Sequence, residues 1–212
     1  MAAESAIAAL LAGIDSYLAR FEHEGVAEVR RGLATWGQGA LTEMTPLETA
    51  ACQHLDAALA AATPPELAAA IAAARPFLRW GGYDAYPLED IGAAFAGGHA
   101  FASLIGDGGF HAAEDFDLGL FVIAPDIFYR DHHHAAPELY APLTGPHGWR
   151  FKPGDQLQWK PAHEPIWNAP WAPHATMTGA VPFLCIYCWT RDADALARVI
   201  PSNDWPQLEQ RA

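Results

Sequence analysis

The chain has 212 residues, with 25 Asp and Glu against 12 Lys and Arg, which gives a formal net charge of −13. Nucleic acids and anionic membrane surfaces call for basic patches, so this charge balance argues against both as partners. The length suffices for one large domain, or for one domain with a helical extension.

The remaining composition predicts a soluble, cytoplasmic protein. Three cysteines, an odd and small number, give no disulfide framework. The apolar stretch at 6–14 follows Glu4 and has no basic segment before it, so we expect no secretory signal. No apolar run approaches the roughly 18 residues that a membrane helix needs.

Residues 1–78 are expected to form a helical extension. Apolar residues recur there at spacings of three and four, which predicts a first amphipathic helix. The stretches 45–48 and 63–66 both read Thr-Pro-x-Glu and resemble helix starts, with a threonine cap and a proline in the first turn. We expect about three helices, ending before Arg75, with a structural role as a cap or a dimer contact.

Residues 79–212 are expected to form a β domain. The stretch 91–105 is ambiguous between strand and loop, but from Leu118 onward short apolar runs alternate with prolines and glycines. Many short strands at even spacing are typical of a sandwich or barrel. Strands are predicted at 118–124, 128–134, 138–143, 149–151, 156–160, 165–168, 174–178 and 181–190, and a short helix at 192–199.

Two of the three cysteines lie in the last predicted strand. Cys185 and Cys188 are three residues apart, and residues at that spacing in a strand face opposite ways. We therefore expect both to pack in the core, and not to form a redox pair.

The pattern His132-x-His134-x3-Glu138-x-Tyr140 carries the chemistry of the chain. In a strand, side chains two residues apart share a face, so the two histidines share one face and Glu138 and Tyr140 share another. A hairpin turn between the pairs would bring them to one point. Imidazoles with a carboxylate suit a divalent ion such as zinc, iron(II), manganese or nickel. His133 has the opposite phase and is not expected to be a ligand.

These histidines and the glutamate, followed by Gly145, resemble the first motif of the cupin superfamily. The resemblance implies a mainly β fold, a double-stranded β-helix (jelly-roll) barrel with a metal inside it. A second cupin motif supplies one more histidine. His174 is preferred for this role because it opens a strand-like stretch, and His163, which lies between prolines, is the alternative.

The fuller pattern, which begins at Tyr129 and ends at Tyr140, resembles the cupin-type dimethylsulfoniopropionate lyases, especially the DddQ kind. The helical extension agrees in size and character. The resemblance implies a barrel at 79–212 that forms a single functional unit with the extension at 1–78. It also implies a small-molecule substrate, dimethylsulfoniopropionate. The sequence leaves open whether the protein is a monomer or a homodimer.

The resemblance further implies one divalent metal, held by His134, Glu138 and His174, with zinc expected in a purified sample. His132 is either a fourth ligand or a hydrogen-bond partner of the ligands. The sequence leaves the physiological metal open, because this donor set suits several ions of the first transition row.

Lyases of this kind cleave dimethylsulfoniopropionate to dimethyl sulfide and acrylate by β-elimination. Tyr140 is the candidate base, because it shares the phase of Glu138 and a nearby cation favours a phenolate. The resemblance makes Tyr129 a second catalytic candidate and places Tyr129, His132 and Trp189 along the pocket. Aromatic faces suit the sulfonium charge, which cannot donate a hydrogen bond.

Two other functions are compatible with the sequence. A cupin can act on another small carboxylate as a dioxygenase, isomerase or decarboxylase, and the fold alone does not separate these chemistries. Iron dependence with oxygen consumption would favour the dioxygenase. A non-catalytic cupin that binds a small ligand is the third reading, and it predicts binding without any product.

Overall fold

The computed structural model describes residues 2–211. Seven α-helices lie within this range. Six of them precede the first strand, and the first four of these end by Ala74. The helices are α1 (Ala2–Leu18), α2 (Glu24–Trp36), α3 (Leu55–Ala61), α4 (Pro65–Ala74), α5 (Leu88–Ile91), α6 (Ala93–Gly98) and α7 (Trp205–Glu209). Among the described residues, no helix has the length and apolar character that crossing a membrane requires.

Ten strands form two five-stranded antiparallel sheets. The strands are β1 (His99–Ile105), β2 (Asp117–Ile123), β3 (Phe128–His133), β4 (Glu138–Pro142), β5 (His147–Arg150), β6 (Gln158–Lys160), β7 (Ile166–Asn168), β8 (His174–Met177), β9 (Phe183–Trp189) and β10 (Arg198–Val199). The order is β1-β2-β9-β4-β7 in the first sheet and β10-β3-β8-β5-β6 in the second. The prediction of a mainly β fold with N-terminal helices is confirmed.

Alternation along the central strands of the first sheet separates two cores. On one face, residues such as Leu118, Leu139 and Ile186 pack in the same buried cluster as Ile7 and Ile14 of helix α1. Burying a side chain of this size contributes about 1.5–3 kcal/mol to the free energy of folding. The packing of the apolar face of α1 therefore stabilises the contact between the N-terminal helices and the first sheet. The other face of the sheet turns toward the second sheet and carries the polar site.

The two cysteines of β9 follow this alternation. Cys185 lies in the cluster between the sheets, and Cys188 lies in the cluster beneath the helices. Both are buried and free. The prediction that they pack on opposite faces is confirmed.

The helix start predicted at Thr45 is wrong. After α2, the next helical segment is the 3-10 turn at Ala50–His54. The backbone of Leu47 instead accepts a hydrogen bond from Trp80 and donates one to Leu78, so this stretch is extended alongside another segment. At the second predicted start, α4 does begin at Pro65, but Thr63 does not cap it, because its hydroxyl is bonded to His163.

The helix predicted at 192–199 is also wrong. The end of this stretch forms β10, which pairs with β3, and the next residue, Ile200, donates a backbone hydrogen bond to Asp131. The backbone of Asp192 is left-handed, with φ of 51°, which does not fit a helix interior. The helix at this end of the chain is α7, at Trp205–Glu209.

Gly119 is a point where the first sheet requires the smallest residue. A Cβ added there would lie 2.8 Å from the Tyr187 ring and closer still to the carbonyl oxygen of Ala102. We expect Gly119→Ala to lower the free energy of unfolding by about 1–3 kcal/mol, because neither neighbour can withdraw without disturbing the sheet. Gly97→Ala is the matched control for denaturant titrations, since a Cβ there meets nothing within 4 Å. Equal stability of the two variants would contradict this explanation.

Candidate functional site

The candidate site lies between the two sheets, and each sheet supplies part of it. His132 on β3 and His174 on β8 are directly paired in the second sheet. Glu138 on β4 belongs to the first sheet, where its pairing partners are Trp189 and Asn168. The predicted hairpin is therefore wrong, because β3 and β4 are in different sheets and residues 134–137 carry the chain from one to the other. The crossing still brings both pairs of side chains together.

The three histidines of the site are held in one orientation by the backbone. The Nδ1 atoms of His132, His134 and His174 lie 2.8, 2.8 and 3.0 Å from the carbonyl oxygens of residues 130, 136 and 172. A carbonyl oxygen can only accept, so each Nδ1 carries the proton and donates it. In a neutral imidazole held this way, Nε2 has the lone pair with which histidine binds metals.

The Nε2 atoms converge on Glu138. Potential ligand atoms of His132, His134 and His174 all lie within 4.8 Å of one another. His134 Nε2 lies 3.0 Å from Glu138 Oε2, and His174 Nε2 lies 3.2 Å from the same oxygen but lacks hydrogen-bond geometry. His132 Nε2 is buried and has no hydrogen-bond partner among residues 2–211. A buried nitrogen without a hydrogen-bond partner destabilises the fold unless a ligand binds it. This set of imidazole and carboxylate donors fits a divalent metal ion.

The protonation states of the cluster agree with this interpretation. Burial, together with the adjacent His174 and His134, lowers the pKa of His132 well below its usual value, so its imidazole is neutral. Burial alone would raise the pKa of Glu138, but His134 and His174 outweigh it and hold that pKa well below its usual range. The site thus presents the Glu138 carboxylate beside the neutral imidazole of His132.

Glu138 is oriented by two residues of neighbouring strands. Trp189 Nε1 donates to Glu138 Oε1 at 2.8 Å, and the indole ring packs 4.5 Å from the His134 ring, centroid to centroid. Asn168 Nδ2 lies 3.5 Å from Glu138 Oε2. The sequence analysis missed Asn168, which only the pairing of β7 with β4 places there.

The two candidate tyrosines line a cavity of about 220 Å³ next to the cluster, and so do His134, Glu138 and Trp189. Tyr129 stacks on His132 with ring centroids 3.9 Å apart, and its hydroxyl lies 2.9 Å from that of Tyr86. Burial and the negative charge of Glu138 raise the pKa of Tyr140 well above its usual value.

The alternative second-motif residue, His163, lies elsewhere. Its Nδ1 is 2.8 Å from the Tyr17 hydroxyl, and its Nε2 is bonded to the Thr63 hydroxyl. Both ring nitrogens of His163 are therefore occupied by the helical region, whereas His174 faces His132.

Three further polar residues form a cluster that the sequence analysis did not identify. Asp117 Oδ1 accepts a hydrogen bond from Ser103 at 2.8 Å, and Asp117 Oδ2 accepts one from Tyr187 at 3.1 Å. Asp117 and Tyr187 line the same cavity as Glu138. Only the pairing of β1, β2 and β9 brings these residues together, so no local sequence motif predicts this cluster.

The Asp117 carboxylate should destabilise the fold at neutral pH. Burial raises its pKa from 3.8 to about 6, although Ser103 and Tyr187 lower it by donating hydrogen bonds. Between these pH values the unfolded chain releases a proton that the folded protein keeps, so stability falls as the pH rises. We expect Asp117→Asn to be about 1–3 kcal/mol more stable than the unaltered protein at pH 7. The gain should shrink toward zero near pH 4, and denaturant titrations showing the same gain at both pH values would contradict it.

A barrel of two facing sheets with a buried cluster of three histidines and one glutamate defines a cupin-type protein with a candidate metal centre. The model of the dimethylsulfoniopropionate lyase family matches residues 28–185. The chain belongs to the dimethylsulfoniopropionate lyase family.

Individual relatives agree with this membership. Dimethylsulfoniopropionate lyase DddQ of Ruegeria pomeroyi is 28% identical over 117 residues, which are 51% of this chain and 54% of that protein. The sequence match thus spans about half the length of this curated relative.

Two solved structures share the fold over nearly the whole chain. The crystal structure of DMSP lyase DddQ from Ruegeria pomeroyi has a TM-score of 0.71 and 22% identity, with 92% of this chain and 96% of the other covered. A structure from the work on the DMSP lyases RdDddP and RnDddQII has a TM-score of 0.74 and 20% identity, with 94% and 100% covered. The predicted cupin barrel with a helical extension is confirmed.

Proposed function

We propose that this protein cleaves dimethylsulfoniopropionate to dimethyl sulfide and acrylate by β-elimination. The observation that carries the proposal is the cluster of three buried imidazoles with Glu138, beside a cavity that Tyr140 lines. Family membership and the DddQ relative support the same substrate. The cavity suits a small carboxylate, since it measures about 220 Å³.

His132, His134, His174 and Glu138 are the residues that would hold a divalent metal. Imidazole and carboxylate donors suit zinc, iron(II), manganese or nickel, and zinc is the ion we expect in a purified sample. When bound, such an ion would stabilise negative charge that develops on the substrate carboxylate, and it would favour the phenolate form of Tyr140.

Tyr140 is the proposed base. It would remove a proton from the carbon next to the substrate carboxylate, and the electrons of that C–H bond would form the new double bond. The C–S bond breaks at the same time or afterwards, and its electron pair leaves with neutral dimethyl sulfide. Tyr140 faces the cavity from the same strand as Glu138, two residues away, so the base and the carboxylate-binding end lie side by side.

Tyr129 and Trp189 are the proposed pocket residues, with His132 behind Tyr129. The Tyr129 ring is fixed between Phe95 and His132, at centroid distances of 3.8 and 3.9 Å. Burial raises the pKa of Tyr129 well above its usual value, so its neutral phenol would position the substrate or donate a hydrogen bond. Trp189 would shape the pocket and fix Glu138 at the same time.

The same proposal includes a cytoplasmic protein that acts as a monomer or homodimer, and a division into an extension at 1–78 and a barrel at 79–212 that function as one unit. Three free, buried cysteines fit a reducing compartment. The shared core of the helices and the first sheet supports a single functional unit.

Proton NMR of the reaction in buffered solution tests the proposed reaction. We expect the vinyl signals of acrylate to appear in step with the loss of dimethylsulfoniopropionate, with dimethyl sulfide as the second product. Formation of 3-hydroxypropionate as the first product would indicate substitution by water. Consumption of oxygen without acrylate would indicate a dioxygenase, and either result would overturn the proposal.

A further inference from the structure

The pairing of three strands sets Asp117 at a fixed distance from Glu138. Asp117 on β2 is paired with Trp189 on β9, and Trp189 is paired with Glu138 on β4. Paired residues in adjacent strands point to the same face, so all three side chains enter the same cavity. Two strand spacings, about 10 Å, separate the backbones of the two acids.

The next inward-facing row completes the surroundings of Asp117. Gly119, Tyr187 and Tyr140 are paired across the same strands. Because Gly119 has no Cβ, the Tyr187 ring can lie over it and its hydroxyl can reach Asp117. The ring of Phe101 meets that of Tyr187 edge to face at a centroid distance of 6.1 Å, and both line the cavity.

The Asp117 carboxylate has donors but no cation. Ser103 and Tyr187 each donate one hydrogen bond to it, one to each oxygen. Within residues 2–211, no Lys, Arg or His nitrogen lies within 4.0 Å of it. A partly buried carboxylate among aromatic rings, without a basic partner, is complementary to a ligand that brings its own positive charge.

We propose that Asp117, with the faces of Tyr187, Trp189 and Phe101, forms a subsite for the cationic end of the substrate. The inference rests on the proposed function and adds a specificity residue to it. A zwitterion would place its carboxylate at the histidine cluster and its sulfonium beside Asp117. The two acidic residues then differ in role, because the Glu138 carboxylate lies against His134 and His174, with Nε2 atoms at 3.0 and 3.2 Å, whereas no basic side chain in the described part of the chain forms an ion pair with Asp117.

This arrangement would also fix which carbon reaches the base. Two methylene groups separate the carboxylate from the sulfonium in dimethylsulfoniopropionate. A substrate held at both ends would cross Trp189, the residue between Asp117 and Glu138, and Tyr140 lies in the adjacent row on the Glu138 side. Asp117 would repel the substrate carboxylate, so the reverse orientation is disfavoured.

The test compares two ligands of the same shape that differ in charge. In 3-(trimethylammonio)propionate a quaternary nitrogen occupies the position of the sulfur, and in 4,4-dimethylpentanoate a neutral carbon occupies it. Calorimetric titration of the purified, metal-loaded protein would give the dissociation constant of each. We expect the unaltered protein to bind the cationic ligand about tenfold more tightly or better.

Asp117→Asn should reduce this preference to less than about threefold, while binding of the neutral ligand changes little. Asp155→Asn is the matched control, because it removes the same charge from an exposed position outside the cavity, and it should keep the preference. Asp117→Ser answers the same question if the asparagine variant does not fold. An unchanged preference in the Asp117 variants, or none in the unaltered protein, would overturn the subsite.

The titration does not depend on turnover, so it separates the two proposals. If the unaltered protein prefers the cation through Asp117 but releases no acrylate from dimethylsulfoniopropionate, the proposed reaction fails and the cation subsite stands. If acrylate forms but Asp117→Asn retains the preference, the reaction stands and the subsite fails.

Discussion

Tyr140→Phe is expected to abolish the release of dimethyl sulfide while leaving the metal content unchanged. The substitution removes one oxygen from a side chain that lines the cavity and leaves the ring in place. Loss of a general base lowers the rate by about 10²–10⁴-fold, and no other phenol lies two residues from Glu138 on the same strand. Turnover would be followed as acrylate formation, and metal as moles per mole of protein.

Tyr17→Phe is the matched control for this variant. Tyr17 is buried too, but its hydroxyl bonds to Pro142 and His163, away from the cavity. It should retain nearly full activity. Normal turnover in Tyr140→Phe would eliminate Tyr140 as the base and shift attention to Tyr129, the second candidate.

His134→Ala is expected to lose most of the bound metal and, with it, the activity. His134 contributes an Nε2 whose orientation is fixed by the bond from Nδ1 to the carbonyl of residue 136, and it contacts Glu138 directly. Removing one of a few ligands of a first-row ion lowers metal affinity steeply. Elemental analysis after dialysis against a weak chelator would measure the stoichiometry, and Glu138→Ala should show the same loss.

His163→Ala serves as the control, because His163 was the alternative ligand from the sequence and is bonded to Tyr17 and Thr63 in the structure. It should keep its metal. Metal loss in His163→Ala combined with full occupancy in His134→Ala would show that the ligand assignment is wrong.

The parts of the site that depend on local phase could be predicted from the sequence. Period-two alternation placed Glu138 and Tyr140 on one face, and the same rule placed Cys185 and Cys188 on opposite faces. These predictions require only that each stretch forms a strand. They hold whatever the strand is paired with.

The parts that depend on pairing could not be predicted in this way. A crossing from one sheet to the other has the same local sequence character as a hairpin turn, so the partners of β3 and β4 were assigned wrongly. The neighbours of Asp117 come from β1 and β9, strands 14 and 70 residues away in the chain. The last two residues of the predicted helix at 192–199 pair with β3 instead, a long-range contact that the local sequence does not reveal.

Headspace measurement of dimethyl sulfide tests the central claim most directly. Purified protein would receive dimethylsulfoniopropionate before and after treatment with a chelator, and then after addition of zinc, manganese, iron(II) or nickel. We predict release that the chelator suppresses and that at least one of these ions restores, with acrylate formed in equal amount. No release with any ion, from protein shown to be folded and metal-loaded, would contradict a metal-dependent lyase.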